Sequence, residues 1–362
     1  MISGRNSFYH LPAYYRRLSH NKIPFHCLFE LTHHCNLSCR HCYVIPKKKR
    51  EITTQEAFRI LDMLRAAGCF YIAFSGGEIL TRRDFFKIAA YARKLHFALR
   101  LFTNATLVNA KAANKIASLH PYCVEVSLYG FRKTHDYVTQ VRGSFDRTMG
   151  GIKLLRNRGV KVLAKSVLMN CNADEIHMLK LFVGKDIGIS WRGVAHLISP
   201  CDDGNKRPLS LRVDNDMFYD YLHRKVATKG VSSPLIKSFN RRRKLNEPLC
   251  GAGFLNCSVT PYGEFNPCVQ IKFKNNDLRH NEAIRIWREH KGFKELRRLR
   301  IKDRVECRDC RDMKYCFVCP GIVLLETGSL TARLQESCRQ AGIFRKASYE
   351  AIHEHQDRDS RR

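Results

Sequence analysis

The sequence predicts an α/β fold, because strand-like and helix-like segments alternate from Phe29 to about residue 200. The strand candidates are short, apolar and rich in β-branched or aromatic residues, as buried parallel strands are. They are Leu28–Thr32, Tyr71–Ser75, Ala98–Thr103, Cys123–Leu128, Val160–Leu168 and Ile187–Leu197. Amphipathic helix candidates between them are Thr54–Ala67, Arg83–Leu95, Asn109–Leu119, Phe145–Arg158 and Asp174–Phe182. This alternation predicts right-handed βαβ units and a parallel sheet.

Six such units predict a partial (β/α)6, TIM-like barrel, in which reactive residues follow the carboxyl ends of the strands. After residue 200 the alternation fades and a Cys/Gly/Pro-rich region follows. The predicted segments are an N-terminal extension, the partial barrel, a linker or bridge, a Cys-rich domain and a C-terminal helix or tail, at 1–27, 28–200, 201–249, 250–340 and 341–362.

Composition predicts a soluble cytoplasmic protein. The 362 residues contain no apolar run near the roughly 20 residues of a membrane span, and no signal-peptide pattern begins the chain. In a reducing compartment the 16 cysteines are expected to be metal ligands or buried thiols rather than disulfides. Eleven fall into tight groups, and the isolated five are expected to be small core residues: Cys27, Cys69, Cys123, Cys171 and Cys201.

The net charge of +31 favours an acidic partner, such as a peptide, a nucleic acid or an anionic small molecule. The basic runs Lys47–Arg50 and Arg241–Lys244 are short and lack interleaved aromatic residues. We therefore interpret them as solvated surface rather than as a nucleic-acid site.

Cys35, Cys39 and Cys42 form a C-x3-C-x2-C motif directly after the first predicted strand. Three thiolates on one loop can hold three corners of a [4Fe–4S] cube and leave the fourth iron open to a reactant. A structural zinc site needs four ligands, and a neighbouring histidine could complete one. The candidates are His33, His34 and His41.

Three further segments follow the next strands. Ser75–Glu78 reads SGGE, Leu101–Thr106 reads LFTNAT and Val126–Gly130 reads VSLYG. With the cysteine motif before them, these segments resemble those of the radical S-adenosylmethionine (SAM) superfamily in type and order. The resemblance implies a cluster that cleaves SAM reductively to methionine and a 5′-deoxyadenosyl radical, which then takes a hydrogen atom from the substrate.

The resemblance also implies which residues bind SAM. Gly76, Gly77 and Glu78 would bind its amino group, with glycines permitting close backbone approach to the ligand. Ser127 is a candidate for the SAM carboxylate, and the remaining cofactor-binding candidates are Tyr43, Asn104 and Arg142.

Three residues depart from the family pattern, namely Ile79 for proline, Ala105 for glycine and Tyr129 for aspartate. The departure at Tyr129 lies where related enzymes place polar groups near the substrate, so it leaves the substrate class open. Tyr129 is the one weak catalytic candidate beyond the cluster. The other polar residues near strand ends, His196 and Asp203, are expected to be structural.

The C-terminal cysteines form C-x12-G-x4-C around Gly263, then C-x2-C-x5-C-x2-C and a final cysteine. This resembles the SPASM domain, which carries two auxiliary [4Fe–4S] clusters, although Cys319 follows a gap one residue short. The resemblance assigns one cluster to Cys250, Cys257, Cys268 and Cys319, and the other to Cys307, Cys310, Cys316 and Cys338. On spacing alone, a pair of zinc sites is an equal alternative.

SPASM-bearing relatives commonly modify peptides or proteins, so the resemblance implies a peptide or protein maturase whose auxiliary clusters relay electrons. The expected partners are an acidic peptide, a reductase such as flavodoxin or ferredoxin, and a separate leader-peptide-binding protein. One alternative is a small-molecule enzyme of the haem or tetrapyrrole type. A more distant one is a non-catalytic zinc or cluster protein that binds nucleic acid.

Overall fold

The computed structural model describes residues 17–18, 20–227 and 245–360. Most of the predicted extension 1–27 and residues 228–244 of the predicted bridge 201–249, which include the basic run at 241–244, lie outside these residues. Within them, every helix is too short or too polar to cross a membrane.

One open sheet of eight strands organises the fold, with strand order β6-β5-β4-β3-β2-β1-β7-β8. All neighbouring pairs are parallel except β7 with β8, which is antiparallel. The strands are β1 His26–Thr32, β2 Tyr71–Gly76, β3 Ala98–Thr103, β4 Cys123–Ser127, β5 Val162–Val167, β6 Ser190–Ala195, β7 Asn256–Val259 and β8 Phe265–Asn266. The six predicted strands are β1 to β6, which confirms the partial barrel with bounds displaced by at most three residues.

Helices cover the outer face of the sheet. Thr53 caps the first helix reciprocally, since its hydroxyl accepts from the Glu56 amide while the Glu56 carboxylate accepts from the Thr53 amide. The α-helices are α1 Thr54–Ala66, α2 Phe85–Lys94, α3 Ala110–Ser118, α4 Arg132–Thr139, α5 Ser144–Arg156, α6 Ile176–Lys185, α7 Asn215–Ala227, α8 Ala283–Glu289, α9 Lys291–Arg298, α10 Pro320–Thr327 and α11 Gln335–Ser360.

The core lies between the sheet and these helices. Alternate strand residues such as Phe29, Phe74 and Leu101 are fully buried there, and each such side chain stabilises the fold by about 1.5–3 kcal/mol. The intervening residues face the concave side of the sheet and are more polar, among them Glu30, Glu125 and Lys165. The polar residues at the strands' carboxyl ends therefore converge on one rim.

The Cys-rich region is not separate from the sheet. Strand β7 pairs with β1 in parallel, with Cys27 opposite Cys257 and Phe29 opposite Val259. The boundary predicted at residue 250 therefore coincides with no break in the sheet, since a strand from beyond it completes the edge next to β1.

Candidate cofactor-binding site

The loop that carries Cys35, Cys39 and Cys42 leaves the carboxyl end of β1 and rests on the last turn of α4. The Ser38 amide donates to the Thr139 carbonyl at 3.1 Å, and the Arg40 amide donates to the Val138 carbonyl at 2.9 Å. These backbone bonds hold the middle of the loop. We did not anticipate α4 from the sequence, because its segment has little apolar periodicity.

The three thiols of this loop are mutual neighbours. Burial, with a smaller contribution from the nearby thiolates, raises the pKa of Cys39 to about 12 and that of Cys42 to about 11. Burial also raises the pKa of Cys35. Three thiolates so close together repel one another unless positive charge lies between them, which bound iron supplies.

Gly76 and Gly77 allow the end of β2 to pack against the start of the cysteine loop. The Gly77 amide donates to the Thr32 carbonyl at 2.7 Å, and the Glu78 amide donates to the His34 carbonyl at 2.9 Å. A Cβ on Gly76 or Gly77 would lie less than 3.0 Å from those same carbonyl oxygens. The close approach predicted toward a ligand is made, within the chain, toward the backbone that leads into the cysteine loop.

Glu78 is fully buried, and both of its carboxylate oxygens accept hydrogen bonds from the chain. The Thr103 hydroxyl donates to Oε1 at 2.7 Å, and the Asn104 amide donates to Oε2 at 2.7 Å. The Leu80 amide donates to Oε1 at 3.1 Å. Burial raises the pKa of Glu78, although these bonds oppose the shift. The side chain therefore ties β2 to β3, and its predicted contact with SAM is a second role that remains a prediction.

The LFTNAT segment contacts the cysteine loop from the other side. The Asn104 side-chain amide donates to Asn36 Oδ1 at 3.0 Å and to the Cys35 sulfur at 3.9 Å. The Asn36 side-chain amide in turn donates to the Thr106 hydroxyl at 2.8 Å. Ala105 has a φ of 60°, a left-handed conformation that glycine adopts without strain. The glycine of the family pattern is thus explained by backbone conformation.

Tyr129 reaches the cysteine loop from the end of β4. Its side chain packs against Cys39, and burial, together with the nearby Cys39 thiolate, raises the pKa of the Tyr129 hydroxyl. Its ring packs edge-on against His41, with ring centroids 4.5 Å apart. Burial lowers the pKa of His41 to about 4, which keeps this imidazole neutral next to the thiols. Tyr129 therefore touches a predicted cluster ligand, so the family's aspartate position adjoins the cluster loop here.

Tyr43 is anchored by groups on two other segments. Its hydroxyl donates to Glu30 Oε1 at 3.3 Å, and its carbonyl accepts from the Asp202 amide at 2.8 Å. The Cys201 thiol donates to the Cys42 carbonyl at 3.6 Å. The start of the predicted bridge thus closes against the cysteine loop, a contact between distant segments with no signal in the sequence.

The remaining candidates contribute less. Arg142 is exposed on the turn between α4 and α5. The His196 ring lies among aromatic rings, including those of Phe218 and Phe344. Asp203 accepts from the Asn205 amide at 2.9 Å within a turn. The expectation that His196 and Asp203 are structural agrees with these contacts.

Four C-terminal cysteines converge on one cavity of about 490 Å³. Its lining includes Cys307, Cys310, Cys316 and Cys338, the set that the sequence predicts for the second auxiliary cluster. Arg333 donates to the Cys338 sulfur at 3.3 Å, a charge-assisted bond that favours the thiolate.

The predicted first auxiliary set is only partly assembled. Cys250 and Cys268 pack around the same buried residues, and burial raises the pKa of both, with the Cys319 thiolate acting in the same direction. Cys257 lies apart, because it belongs to β7 and its thiol donates to the His26 carbonyl of β1 at 3.5 Å. Spacing placed it with the other three, whereas strand pairing places it in the core.

Within residues 17–18, 20–227 and 245–360, no three Cys, His, Asp or Glu side chains are grouped to hold one metal ion. The ligands of a [4Fe–4S] cube bind different corners and so lie farther apart than the ligands of a single ion. The thiols of the first loop are neighbours without this tighter grouping.

The fold and this rim define an α/β partial barrel with a three-cysteine loop at the carboxyl ends of its strands. Residues 29–182 match the model of the Radical SAM superfamily. The partial barrel of this chain and its cysteine loop are thus similar to the radical SAM superfamily, and this similarity supports an enzyme.

Several characterised proteins are similar in sequence. Fe-coproporphyrin III synthase of Methanosarcina barkeri is 34% identical over 46% of this chain, which spans 42% of that relative's length. The AdoMet-dependent heme synthase of the same organism is 27% identical, over 83% of this chain and 92% of its own. The mycofactocin maturase MftC of Mycolicibacterium smegmatis is 29% identical, over 75% of this chain and 72% of its own.

Two solved structures share the fold. SuiB of Streptococcus suis bound to S-adenosylmethionine superposes with a TM-score of 0.66 and 18% identity, over 90% of this chain and 78% of its own. The enzyme anSMEcpe with bound AdoMet superposes with a TM-score of 0.72 and 15% identity, over 92% of this chain and all of its own. At these identities the likeness shows the fold.

Proposed function

We propose that this radical SAM enzyme modifies a peptide or protein substrate in the cytoplasm, with two auxiliary clusters that relay electrons. The observation that carries the proposal is the combination of two cysteine sites in one fold. Cys35, Cys39 and Cys42 lie together at the rim of the sheet, and four further cysteines surround a separate cavity. The first arrangement suits SAM cleavage and the second suits electron transfer.

At the first site, Cys35, Cys39 and Cys42 would hold a [4Fe–4S] cluster. When bound, the reduced cluster supplies the electron that splits SAM into methionine and a 5′-deoxyadenosyl radical. The chain's own residues position the loop. The Asn104 side-chain amide donates to the Cys35 sulfur and Tyr129 packs against Cys39, while the backbone at Gly77 holds the start of the loop.

At the second site, the cavity of about 490 Å³ has a cysteine for each corner of a cube. Full ligation by the chain leaves no iron free for substrate, which favours electron transfer over substrate binding. Such a cluster could take up the electron that an oxidised product radical releases, and pass it to the rim or to a reductase such as flavodoxin or ferredoxin.

Charge and similarity support a peptide substrate. The net charge of +31 favours encounter with an acidic peptide. Similarity to the maturase MftC extends over 75% of this chain, and related folds have been solved with precursor peptide SuiA and with short peptides bound. A separate protein that binds the leader peptide is consistent with this substrate.

A second candidate is a change to the side chains of an iron porphyrin. It is favoured by one observation, namely that the similarity to AdoMet-dependent heme synthase extends over 92% of that relative. A carboxylated porphyrin is also an anion and would be attracted to a basic protein.

The test uses protein reconstituted anaerobically with iron and sulfide and supplied with SAM and dithionite. One reaction contains Fe-coproporphyrin III, and the other contains an acidic precursor peptide encoded beside the gene. Mass spectrometry follows 5′-deoxyadenosine and the mass of each substrate, with Cys39→Ala as the control.

A mass change in the peptide alone, together with 5′-deoxyadenosine, would establish the maturase. A mass change in the porphyrin alone would replace it with the second candidate. If the iron-loaded protein forms no 5′-deoxyadenosine with either substrate, the proposed SAM chemistry at this site is wrong.

A further inference from the structure

A group of charged side chains lies on the concave face of the sheet, below the rim that carries the cysteine loop. Arg100 of β3, Lys165 of β5 and Arg192 of β6 all pair with the buried Glu125 carboxylate of β4. Lys165 Nζ lies 3.9 Å and Arg192 Nε lies 3.6 Å from its oxygens. Three cations and one carboxylate leave an excess of two positive charges in these four residues, which we call the interior cation cluster.

The interior cation cluster lies close below the cysteine loop. Lys165 is opposite Ser127, the last residue of β4, and Glu125 is two residues before Ser127 on the same face. Two residues of a strand span about 6.5–7 Å. Tyr129, two residues beyond Ser127, packs against Cys39. A group held by these cations is therefore about one pleat of the sheet below the rim where SAM cleavage is proposed.

A β-bulge adds Arg192 to this level of the sheet. Trp191 is opposite Ala164. Gly193 is opposite the next residue, Lys165, so Arg192 is an extra residue on β6. Bulges are frequent next to active sites, where they redirect a side chain. The Arg192 side chain is 57% exposed. Apart from its chain neighbours, no atom of the residues that the structure describes lies within 4 Å of a Cβ placed on Gly193. Open space therefore adjoins Lys165 and Arg192.

One carboxylate does not balance the charge of this cluster. Burial lowers the pKa of Lys165 to about 8, and the two arginines act in the same direction against the opposing effect of Glu125. A second anion would favour the ammonium form and reduce the repulsion among the cations. Lys165 Nζ also lies 3.6 Å from the centroid of the Phe102 ring, which gives the cluster an apolar side. These surroundings suit a carboxylate on an alkyl stem.

We propose that the interior cation cluster binds a carboxylate of the substrate, and that Arg192 determines the specificity for it. The inference rests on the proposed function and narrows the substrate to one with a carboxylate close to the carbon that reacts. An acidic side chain of a peptide and a carboxylate side chain of a porphyrin both supply this group. The experiment therefore has one arm for each source.

The test measures binding by isothermal titration calorimetry, with anaerobically reconstituted protein saturated with SAM. One pair of probes is Fe-coproporphyrin III and its methyl ester. The other pair is the acidic precursor peptide and the same peptide with its acidic side chains replaced by amides. We expect Arg192→Gln to weaken binding of the charged probe by about 10-fold, the effect of losing one hydrogen bond to a charged group. Binding of the matching neutral probe should be unchanged.

Two further variants control for structural effects. Arg192→Lys retains the charge and should keep most of the affinity for the charged probe. Arg285→Gln, at an exposed arginine with one ion pair, should leave the affinity unchanged. Equal weakening of the charged and neutral probes by Arg192→Gln, or weakening of neither, would overturn the inference. Weaker binding of SAM by Arg192→Gln would also overturn it, because the cations would then serve the SAM carboxylate.

Propionate tests the anion site independently of the substrate. Acetylation of Lys165 by the N-hydroxysuccinimide ester of acetic acid is followed by mass spectrometry, with propionate or propionamide present. We expect propionate alone to slow the acetylation in the native protein, because a bound carboxylate favours the unreactive ammonium form. The effect should be lost in Arg192→Gln.

This second measurement separates the two possible failures. If the native protein binds neither the peptide nor the porphyrin but propionate protects Lys165, the substrates of the proposed function are wrong and the anion site stands. If propionate and propionamide have the same effect on Lys165 in the native protein, the anion site is wrong, whichever substrate is modified.

Discussion

The carboxylate of Glu78 accepts a hydrogen bond from the backbone amide of Asn104 at 2.7 Å, which joins the ends of β2 and β3 beneath the cysteine loop. Asn104 in turn donates from its side chain to Asn36 and to the Cys35 sulfur. A buried acid therefore sets the backbone position of a residue that touches Cys35, a predicted cluster ligand. We expect stability and cofactor binding to be coupled at this rim.

Glu78→Gln should lower the free energy of unfolding by about 1–3 kcal/mol. The new side-chain NH2 group would face another donor, either the Asn104 backbone amide or the Thr103 hydroxyl. Urea denaturation measures the change. Glu289→Gln, at a largely exposed side chain, is the control and should have little effect. Equal stability of the two variants would mean that the Glu78 bonds do not hold the rim.

Gly77→Ala should abolish iron binding by the first loop, because the added methyl group would collide with the His34 carbonyl. We expect a loss of about four iron ions per chain, together with loss of the SAM-dependent change in the electron paramagnetic resonance spectrum. Gly150→Ala is the matched control, since nothing lies within 4 Å of a Cβ there and α5 should gain about 0.5–1 kcal/mol. Full iron content in Gly77→Ala would contradict the close packing described here.

Tyr129→Phe should make the reduction potential of the first cluster more negative, because the hydroxyl lies next to Cys39 and can donate a hydrogen bond that stabilises the extra negative charge of the reduced state. A hydrogen bond of about 1 kcal/mol corresponds to about 40 mV for one electron. A redox titration followed by electron paramagnetic resonance measures the shift. Tyr122→Phe, at an exposed ring, should leave the potential unchanged. A positive shift in Tyr129→Phe would exclude this role.

Lys165 predicts a pH dependence of stability. Burial lowers its pKa to about 8; the Glu125 carboxylate opposes the shift, whereas Arg100 and Arg192 add to it. In the unfolded chain the pKa of lysine is about 10.4. Between these values the unfolded chain binds more protons, so stability should rise with pH from about 8 to about 10.4.

Lys165→Met should remove that rise. The free energy of unfolding of the variant minus that of the native protein should therefore be larger at pH 7 than at pH 9.5. Denaturation at both pH values measures it, and Lys291→Met, at an almost fully exposed side chain, provides the reference. The same pH slope in Lys165→Met and the native protein would assign the dependence to another group.

Much of the fold follows from local patterns. Short β-branched and apolar runs predicted all six strands of the barrel, because burial between layers demands such residues wherever the strands lie. Helix α4 was missed, since its sequence RKTHDYVT has one strongly buried aliphatic side chain, Val138. The backbone of α4 nevertheless supplies the carbonyls that accept hydrogen bonds from Ser38 and Arg40 of the cysteine loop.

The sequence by itself determined the order of the βα units and the position of the three-cysteine loop after β1, because both depend on residues adjacent in the chain. Only the tertiary structure decided which distant groups meet. Register with β1 removes Cys257 from the group that spacing had assigned to it, and packing between strands brings Tyr129 to Cys39. Spacing measures separation along the chain, whereas metal ligation and hydrogen bonding depend on separation in space.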